Sequence, residues 1–201
     1  EQLFGGFMDK SVELFAGSVP MYYCRGNHET RGPMAPEFQQ YFNPKEEELF
    51  YMFRQGPVCF VVLDCGEDKP DTDVEYYGIT AYDEYRTKQA EWLKTVLHSD
   101  LYKQAPFKVV VCHMPPFGSW HGELDIAEKF IPLLNEANPD VYLCAHLHRT
   151  IRKNAGEDGV RFPILVNSNN SLLKADVDNK KMDIRIYDLS GKEVEHLLIE
   201  K

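Results

Sequence analysis

Two histidines separated by a single residue, His146 and His148, are the side chains in this sequence best suited to metal chemistry. They follow VYLCA, 141–145, a run of apolar and β-branched residues that is typical of a buried strand. Imidazole is the commonest side-chain ligand for zinc-class metals, and two imidazoles at a strand end can bind one ion or two adjacent ions. The pattern is short, so by itself it equally allows one histidine in the core and one in solvent.

Two other predicted strands also end in metal-ligand side chains. His113 follows the apolar run 107–112 and precedes a turn rich in proline, while Asn27 and His28 follow the run 19–25. Ligands collect at the carboxyl ends of parallel strands in open α/β sheets. If these strands are parallel neighbours, their ends converge, and the sequence predicts a metal site there.

At these places the sequence resembles the calcineurin-like metallophosphoesterases, a family that carries ordered motifs. The later three motifs stand here as GNHE at 26–29, CHMP at 112–115 and AHLH at 145–148. QAEWL, 89–93, also resembles the corresponding helix of the purple acid phosphatase branch. One departure is mild: Ala145 stands where the family usually has a glycine that permits a tight turn, so we expect some backbone strain there without the loss of a ligand.

The more severe departure concerns the first two family motifs. An Asp-x-His motif and a Gly-Asp motif supply most ligands of the first metal and the carboxylate that bridges both metals, and neither occurs before Asn27. We therefore expect a chain that begins partway through its catalytic domain. The resemblance implies an α/β fold, a four-layer αββα sandwich of mixed sheets flanked by helices, lacking its first β-α unit and forming one domain over 1–201.

The resemblance also implies a role for each residue of the motifs. Asn27, His113 and His146 would bind the second metal, His148 would bind the first, and His28 would protonate the leaving oxygen or stabilise its charge. Two ions about 3.5 to 4 Å apart activate a bridging water and clamp the phosphoryl oxygens. Mixed ligands of this kind suit divalent Mn, Fe, Zn or Co. We expect two ions in the intact protein, at most one in this chain, and little activity from this chain alone.

Two further residues are candidates for substrate binding. Arg31 follows the GNHE motif and could reach a substrate phosphate through its planar guanidinium, although bracing of the loop is about as plausible. His121 lies in the loop after His113 and could contact substrate, with a structural role as the alternative.

Composition limits the class of partner. Hydrophobic residues make up 43% of the 201 residues, as in ordinary soluble globular proteins, and no apolar run approaches the ~20 residues of a membrane helix. No signal peptide is visible, but a start partway through the protein would hide one, so the compartment stays unknown. A net charge of −10 argues against long nucleic acids and leaves a small phosphate ester as the expected substrate.

The five cysteines have no CxxC spacing, and four of them lie within or at the ends of apolar strands, so we expect buried free thiols rather than a thiolate metal site. They are Cys24, Cys59, Cys65, Cys112 and Cys144.

The remaining chain alternates between helical and strand patterns. Helices are predicted over 2–16, 83–97 and 125–137, with Pro132 expected to kink or shorten the last, and a hairpin over 49–65. The acidic stretch 66–80 is predicted to be a solvated surface loop. Strands are predicted over 150–153, 163–168, 171–177, 182–189 and 193–199.

Three functions remain open from the sequence. The first is a metal-dependent phosphoesterase, with a phosphomonoesterase preferred, and the second is a phosphodiesterase or nuclease of the same fold. The third is a non-catalytic interaction domain that keeps a partial metal site. The missing unit should also leave a sheet edge uncovered, which predicts self-association.

Overall fold

The computed structural model describes residues 2–42 and 48–201, and its central element is a mixed sheet of six strands. These strands are β1 (Tyr51–Gln55), β2 (Val58–Val62), β3 (Phe107–Val111), β4 (Val141–Cys144), β5 (Ile151–Lys153) and β6 (Ile164–Val166). Their order is β1-β2-β3-β4-β6-β5. The four inner strands are parallel, and β1 and β5 are antiparallel edges.

The helices that connect the parallel strands lie on one face of this sheet. The α-helices are α1 (Asp9–Ser11), α2 (Phe38–Tyr41), α3 (Tyr82–Val96), α4 (Asp100–Lys103) and α5 (His121–Ala137). Apolar residues at helical spacing, such as Leu93 on α3 and Phe130 on α5, are fully buried against Val61 and Val110 of the sheet. Helix α1 continues into π-type turns at Gln2–Met8 and Val12–Ala16, so the predicted N-terminal helix is present.

Helix α5 begins four residues earlier than its predicted start at 125. The side chain of Glu123, at the third position of the helix, accepts the backbone N–H of Trp120 at 3.0 Å and so stabilises the first turn. The helix also runs on past Pro132, so the proline does not shorten it.

A second sheet covers the opposite face of the first. Its antiparallel strands are β7 (Ser171–Val177), β8 (Lys181–Asp188) and β9 (Glu193–Glu200). Met182 and Ile184 of β8 pack with Val109, Val141 and Leu165 of the main sheet in a second buried cluster. The predicted α/β sandwich is confirmed, and the described residues build one helical layer and two sheet layers of it.

The segment 19–25, predicted to be a strand, forms no strand in the described structure. Both edges of β2 are occupied by β1 and β3, and the segment does not pair with the open edge of β1 either. Side chains hold it instead. Tyr51 Oη donates to the carbonyl of Tyr23 at 2.9 Å, and Arg25 Nη2 lies 2.6 Å from Asp64 Oδ2.

Other local predictions are confirmed. Strands β1 and β2 form the expected hairpin around Gly56, whose φ of +57° is the left-handed conformation that glycine adopts most easily. All five cysteines are free thiols, and four are buried, with Cys24 half-buried.

Among the described residues, no helix combines the length and the apolar character needed to cross a membrane.

Candidate metal centre

Five of the residues singled out in the sequence line one cavity of about 460 Å³. Asn27 and His28 come from the GNHE loop, His113 from the end of β3, and His146 and His148 from the end of β4. The complete lining is Asn27, His28, Glu29, Asp68, His113, Trp120, His146, Leu147 and His148. The cavity therefore lies at the carboxyl edge of the parallel strands, where ligands collect in such sheets.

The backbone after β4 is bent so that both histidines face this cavity. His146 has a φ of +61° and His148 a φ of +53°, which is uncommon for residues other than glycine and occurs at functional sites. The N–H of Ala145 donates to the carbonyl of His113 at 2.9 Å, so the ends of β3 and β4 are joined. The rings of His113 and His146 are nearly perpendicular, with their centroids 5.3 Å apart.

Two imidazoles of the cavity, those of His113 and His146, favour the neutral form that binds metals. The pKa of His113 is lowered to about 4, chiefly by burial and also by the nearby His146, His28 and His148. Burial also lowers the pKa of His146, although the Asp68 carboxylate opposes that effect. At neutral pH these rings offer nitrogen lone pairs without first losing a proton.

Asp68 lines the same cavity, although it was not among the site residues predicted from the sequence. Asn27 Nδ2 donates to Asp68 Oδ2 at 3.2 Å, which leaves the Asn27 carbonyl oxygen free to bind a metal. The predicted solvated loop 66–80 is wrong at its start, because Glu67 is only 2% exposed. A run of acidic residues gives no sign of which member is buried. Asn27 and Arg31, which bond to Asp68 and Glu67, lie about forty residues earlier in the chain.

Arg31 is not among the residues that line the cavity. Its Nε and Nη2 donate to the two carboxylate oxygens of Glu67 at 2.8 and 2.7 Å, and Thr30 Oγ1 donates to the same carboxylate. Hydrogen bonds from Arg31 and Thr30 hold the pKa of Glu67 below its ordinary value despite its burial, which acts in the opposite direction. These contacts fit a residue that braces the loop, and phosphate binding by Arg31 stays a prediction.

His121 is likewise engaged outside the cavity. Its Nε2 lies 2.7 Å from Asp83 Oδ1, and the two residues form a group with Asp125 whose potential ligand atoms lie within 4.8 Å of one another. This group already contains two cations: Arg86 is bonded to both carboxylates, and Lys129 Nζ lies 2.9 Å from Asp125 Oδ2. An added metal ion would have to displace them. Substrate binding by His121 stays a prediction.

The cavity presents the kinds of donor atom that zinc-class ions bind. Asn27, His113 and His146 offer an amide oxygen and two imidazole nitrogens, which is the number of protein ligands in a catalytic zinc site completed by water. His148 and the Asp68 carboxylate are further donors in the same lining. Glu29 also lines the cavity, but its Oε2 accepts the N–H of Gly26 at 2.9 Å.

The fold and the cavity together define an α/β sandwich protein with a candidate metal centre at the strand ends. The family model for calcineurin-like phosphoesterases matches residues 1–150, and the chain belongs to this family. The family is metal-dependent, which agrees with the donor set. A search of the curated proteins finds no match.

A solved structure of low sequence identity shows the same fold. A purple acid phosphatase from yellow lupin (Lupinus luteus) seeds is 14% identical, with a TM-score of 0.65, over 98% of this chain and 43% of that chain. GAP50, the anchor in the inner membrane complex of Plasmodium, is 13% identical, with a TM-score of 0.48, over 77% of this chain and 55% of that chain. The chain therefore spans less than half the length of the lupin enzyme.

Proposed function

We propose that this chain carries the second-metal half of a phosphoesterase site, and that the natural protein containing it hydrolyses a small phosphate monoester. The observation that carries the proposal is the convergence of Asn27, His28, His113, His146 and His148 on one cavity. Family membership supports the reaction class. The net charge of −10 favours a small substrate over a long nucleic acid, because backbone binding relies on clustered Lys and Arg.

Each residue contributes a distinct part of the chemistry. Asn27, His113 and His146 would hold the ion, and His148 would contribute to the other metal position. A bound divalent ion of the Mn, Fe, Zn or Co class would lower the pKa of water and stabilise charge on the phosphoryl oxygens. His28 would protonate the leaving oxygen or stabilise its negative charge. Trp120, which is half-exposed at the cavity wall, would limit access of water.

The phosphodiesterase alternative uses the same groups, since the fold supports both reactions. The natural protein, supplied with Mn²⁺ or Zn²⁺, would be assayed on p-nitrophenyl phosphate and on bis-p-nitrophenyl phosphate. We expect a higher kcat/KM on the monoester. A preference for the bis ester would replace the monoesterase proposal with the diesterase.

The same assay separates an enzyme from a non-catalytic interaction domain. The matched control is the His28→Ala variant, which removes the proposed acid and leaves every proposed ligand in place. Turnover that exceeds this control on either ester supports the enzyme. Equal, background-level p-nitrophenol release by both proteins would overturn it and favour the interaction domain.

A further inference from the structure

Glu123 is a buried carboxylate with one oxygen that has no hydrogen-bond partner. The residue is 0% exposed, and it lies at the third position of α5. Its Oε2 accepts the N–H of Trp120 at 3.0 Å, which accounts for one oxygen. Its Oε1 has no partner in the described structure. Leaving a buried charged acceptor unpaired costs on the order of 1–3 kcal/mol or more, so such an atom calls for an explanation.

The unpaired oxygen faces a proposed metal ligand. Glu123 Oε1 lies 4.0 Å from His146 Nε2, and the His146 side chain is only 11% exposed. The surrounding loop makes room for this carboxylate. A Cβ atom at Gly118 would lie 2.0 Å from Glu123 Oε2. Gly118 also has a φ of +135°, a backbone conformation that residues other than glycine rarely adopt.

We propose that Glu123 is a positioning residue that accepts a hydrogen bond from His146 Nε2–H. A proton held on Nε2 leaves Nδ1 of the same ring unprotonated, which is the form required of a metal ligand. The ring has to approach Glu123 by about 1 Å to reach the ordinary hydrogen-bond distance. The role rests on the proposed metal site, and Glu123 lies outside the three motifs that identify the family.

The competing explanation is that Glu123 only caps α5, and the Glu123→Gln variant separates the two roles. The glutamine oxygen still accepts the N–H of Trp120, so the hydrogen bond that caps the first turn of α5 is kept. Its amide nitrogen then faces His146 and donates to Nε2, which forces the proton onto Nδ1. Glu128→Gln is the matched control, because Glu128 is exposed on the same helix and loses the same charge.

The first measurement is the His146 tautomer in the metal-free chain, from the ¹⁵N chemical shifts of the imidazole. We expect Nε2–H in the wild type and in Glu128→Gln, and Nδ1–H in Glu123→Gln. The second is calorimetric titration with Zn²⁺. Affinity should fall about 10- to 100-fold in Glu123→Gln, as it does when the outer partner of a metal-binding histidine is lost, and should be unchanged in Glu128→Gln.

Thermal unfolding of each variant shows whether the fold and the helix cap are retained. An unchanged tautomer with unchanged Zn²⁺ affinity in Glu123→Gln would overturn the proposal and leave Glu123 as a cap only. If the tautomer changes in Glu123→Gln but the wild-type chain binds no Zn²⁺, the contact between Glu123 and His146 is supported. That result would overturn the metal site under the proposed function.

Discussion

Asn27 and His28 are sequence neighbours with different proposed tasks, and their surroundings account for the difference. The side chain of Asn27 is 2% exposed and tied to Asp68, as expected of a fixed ligand. His28 is exposed at the cavity and lies in a short 3₁₀ turn, His28–Thr30, where it can reach a substrate oxygen. One loop therefore presents both the proposed metal ligand and the proposed proton donor.

Replacing His28 should affect turnover, whereas replacing His113 should affect metal content. In the natural protein, His28→Ala should lower kcat by about 10²- to 10⁴-fold with the metal retained, because general acid catalysis contributes on that scale. His113→Ala should lose the ion, since the ligand itself is removed. Plasma emission analysis beside kinetics would check this. Equal metal loss in the two variants would make His28 a ligand.

Asp68 should matter for metal binding through the orientation of the Asn27 amide. We expect Asp68→Ala to weaken Zn²⁺ binding about 10- to 100-fold, because the amide loses its fixed acceptor. Asp68→Asn keeps an acceptor oxygen and should bind close to wild type. Glu75→Gln, an exposed change in the same loop, is the control. Titration calorimetry gives the affinities, and an Asp68→Asn variant as weak as Asp68→Ala would instead indicate direct ligation by Asp68.

At the scale of elements, the loop after β2 is anchored by a buried cation on α3. Arg86 is 0% exposed and donates to the carbonyls of Cys65 and Glu67 as well as to Asp125 on α5. This one side chain therefore links α3, α5 and the loop that carries Asp68. The position of the Asp68 carboxylate depends on the packing of both helices.

Removing Arg86 should destabilise the fold far more than removing an exposed cation of the same helix. Arg86→Met should lower the free energy of unfolding by about 3–5 kcal/mol, because Asp125 would stay buried with an incomplete set of partners. Lys94→Met should cost about 0.5 kcal/mol or less, since the Lys94 pair with Glu91 is exposed. Urea unfolding measures both. Similar values for the two variants would mean that the network carries no net stability.

At the scale of the whole molecule, apolar side chains are exposed beside one edge of the main sheet. The N-terminal segment has six exposed large apolar residues, which are Phe7, Val12, Leu14, Phe15, Val19 and Tyr22. Tyr22 stacks on Phe53 of the edge strand β1 at 3.8 Å between ring centroids, so the apolar segment continues onto that edge. Several exposed apolar side chains on one short segment are the kind of surface that marks an interaction site.

We expect the 201-residue chain to associate with a second copy through this surface. Leu14→Glu, at a position 76% exposed, should shift the chain toward monomer by placing a charge in the apolar contact. Leu189→Glu, at an 86% exposed position in the β8–β9 turn, should leave association unchanged. Sedimentation velocity over a range of concentrations measures both. A wild-type chain that is monomeric throughout would contradict the prediction.

The sequence by itself determined the elements that are local in the chain and the residues at their ends. Periodic apolar runs predicted α3, β3 and β4, and histidines directly after two of those strands predicted His113, His146 and His148 at the cavity. These predictions succeed because strand direction and side-chain period are set by neighbouring residues. The turn residues Gly56 and Pro57 predicted the β1–β2 hairpin for the same reason.

Only the tertiary structure decided which charged residues serve the site. Asp68 and Glu123 border the proposed ligands, whereas Arg31 and His121 are engaged by Glu67 and Asp83. Their partners lie 36 to 41 residues away or on another element. The partner of a charged side chain depends on which residues long-range packing brings beside it. It also depends on how far that packing excludes water. The same limit applies to the segment 19–25, whose strand pattern is local but whose pairing depends on a partner strand that only long-range packing supplies.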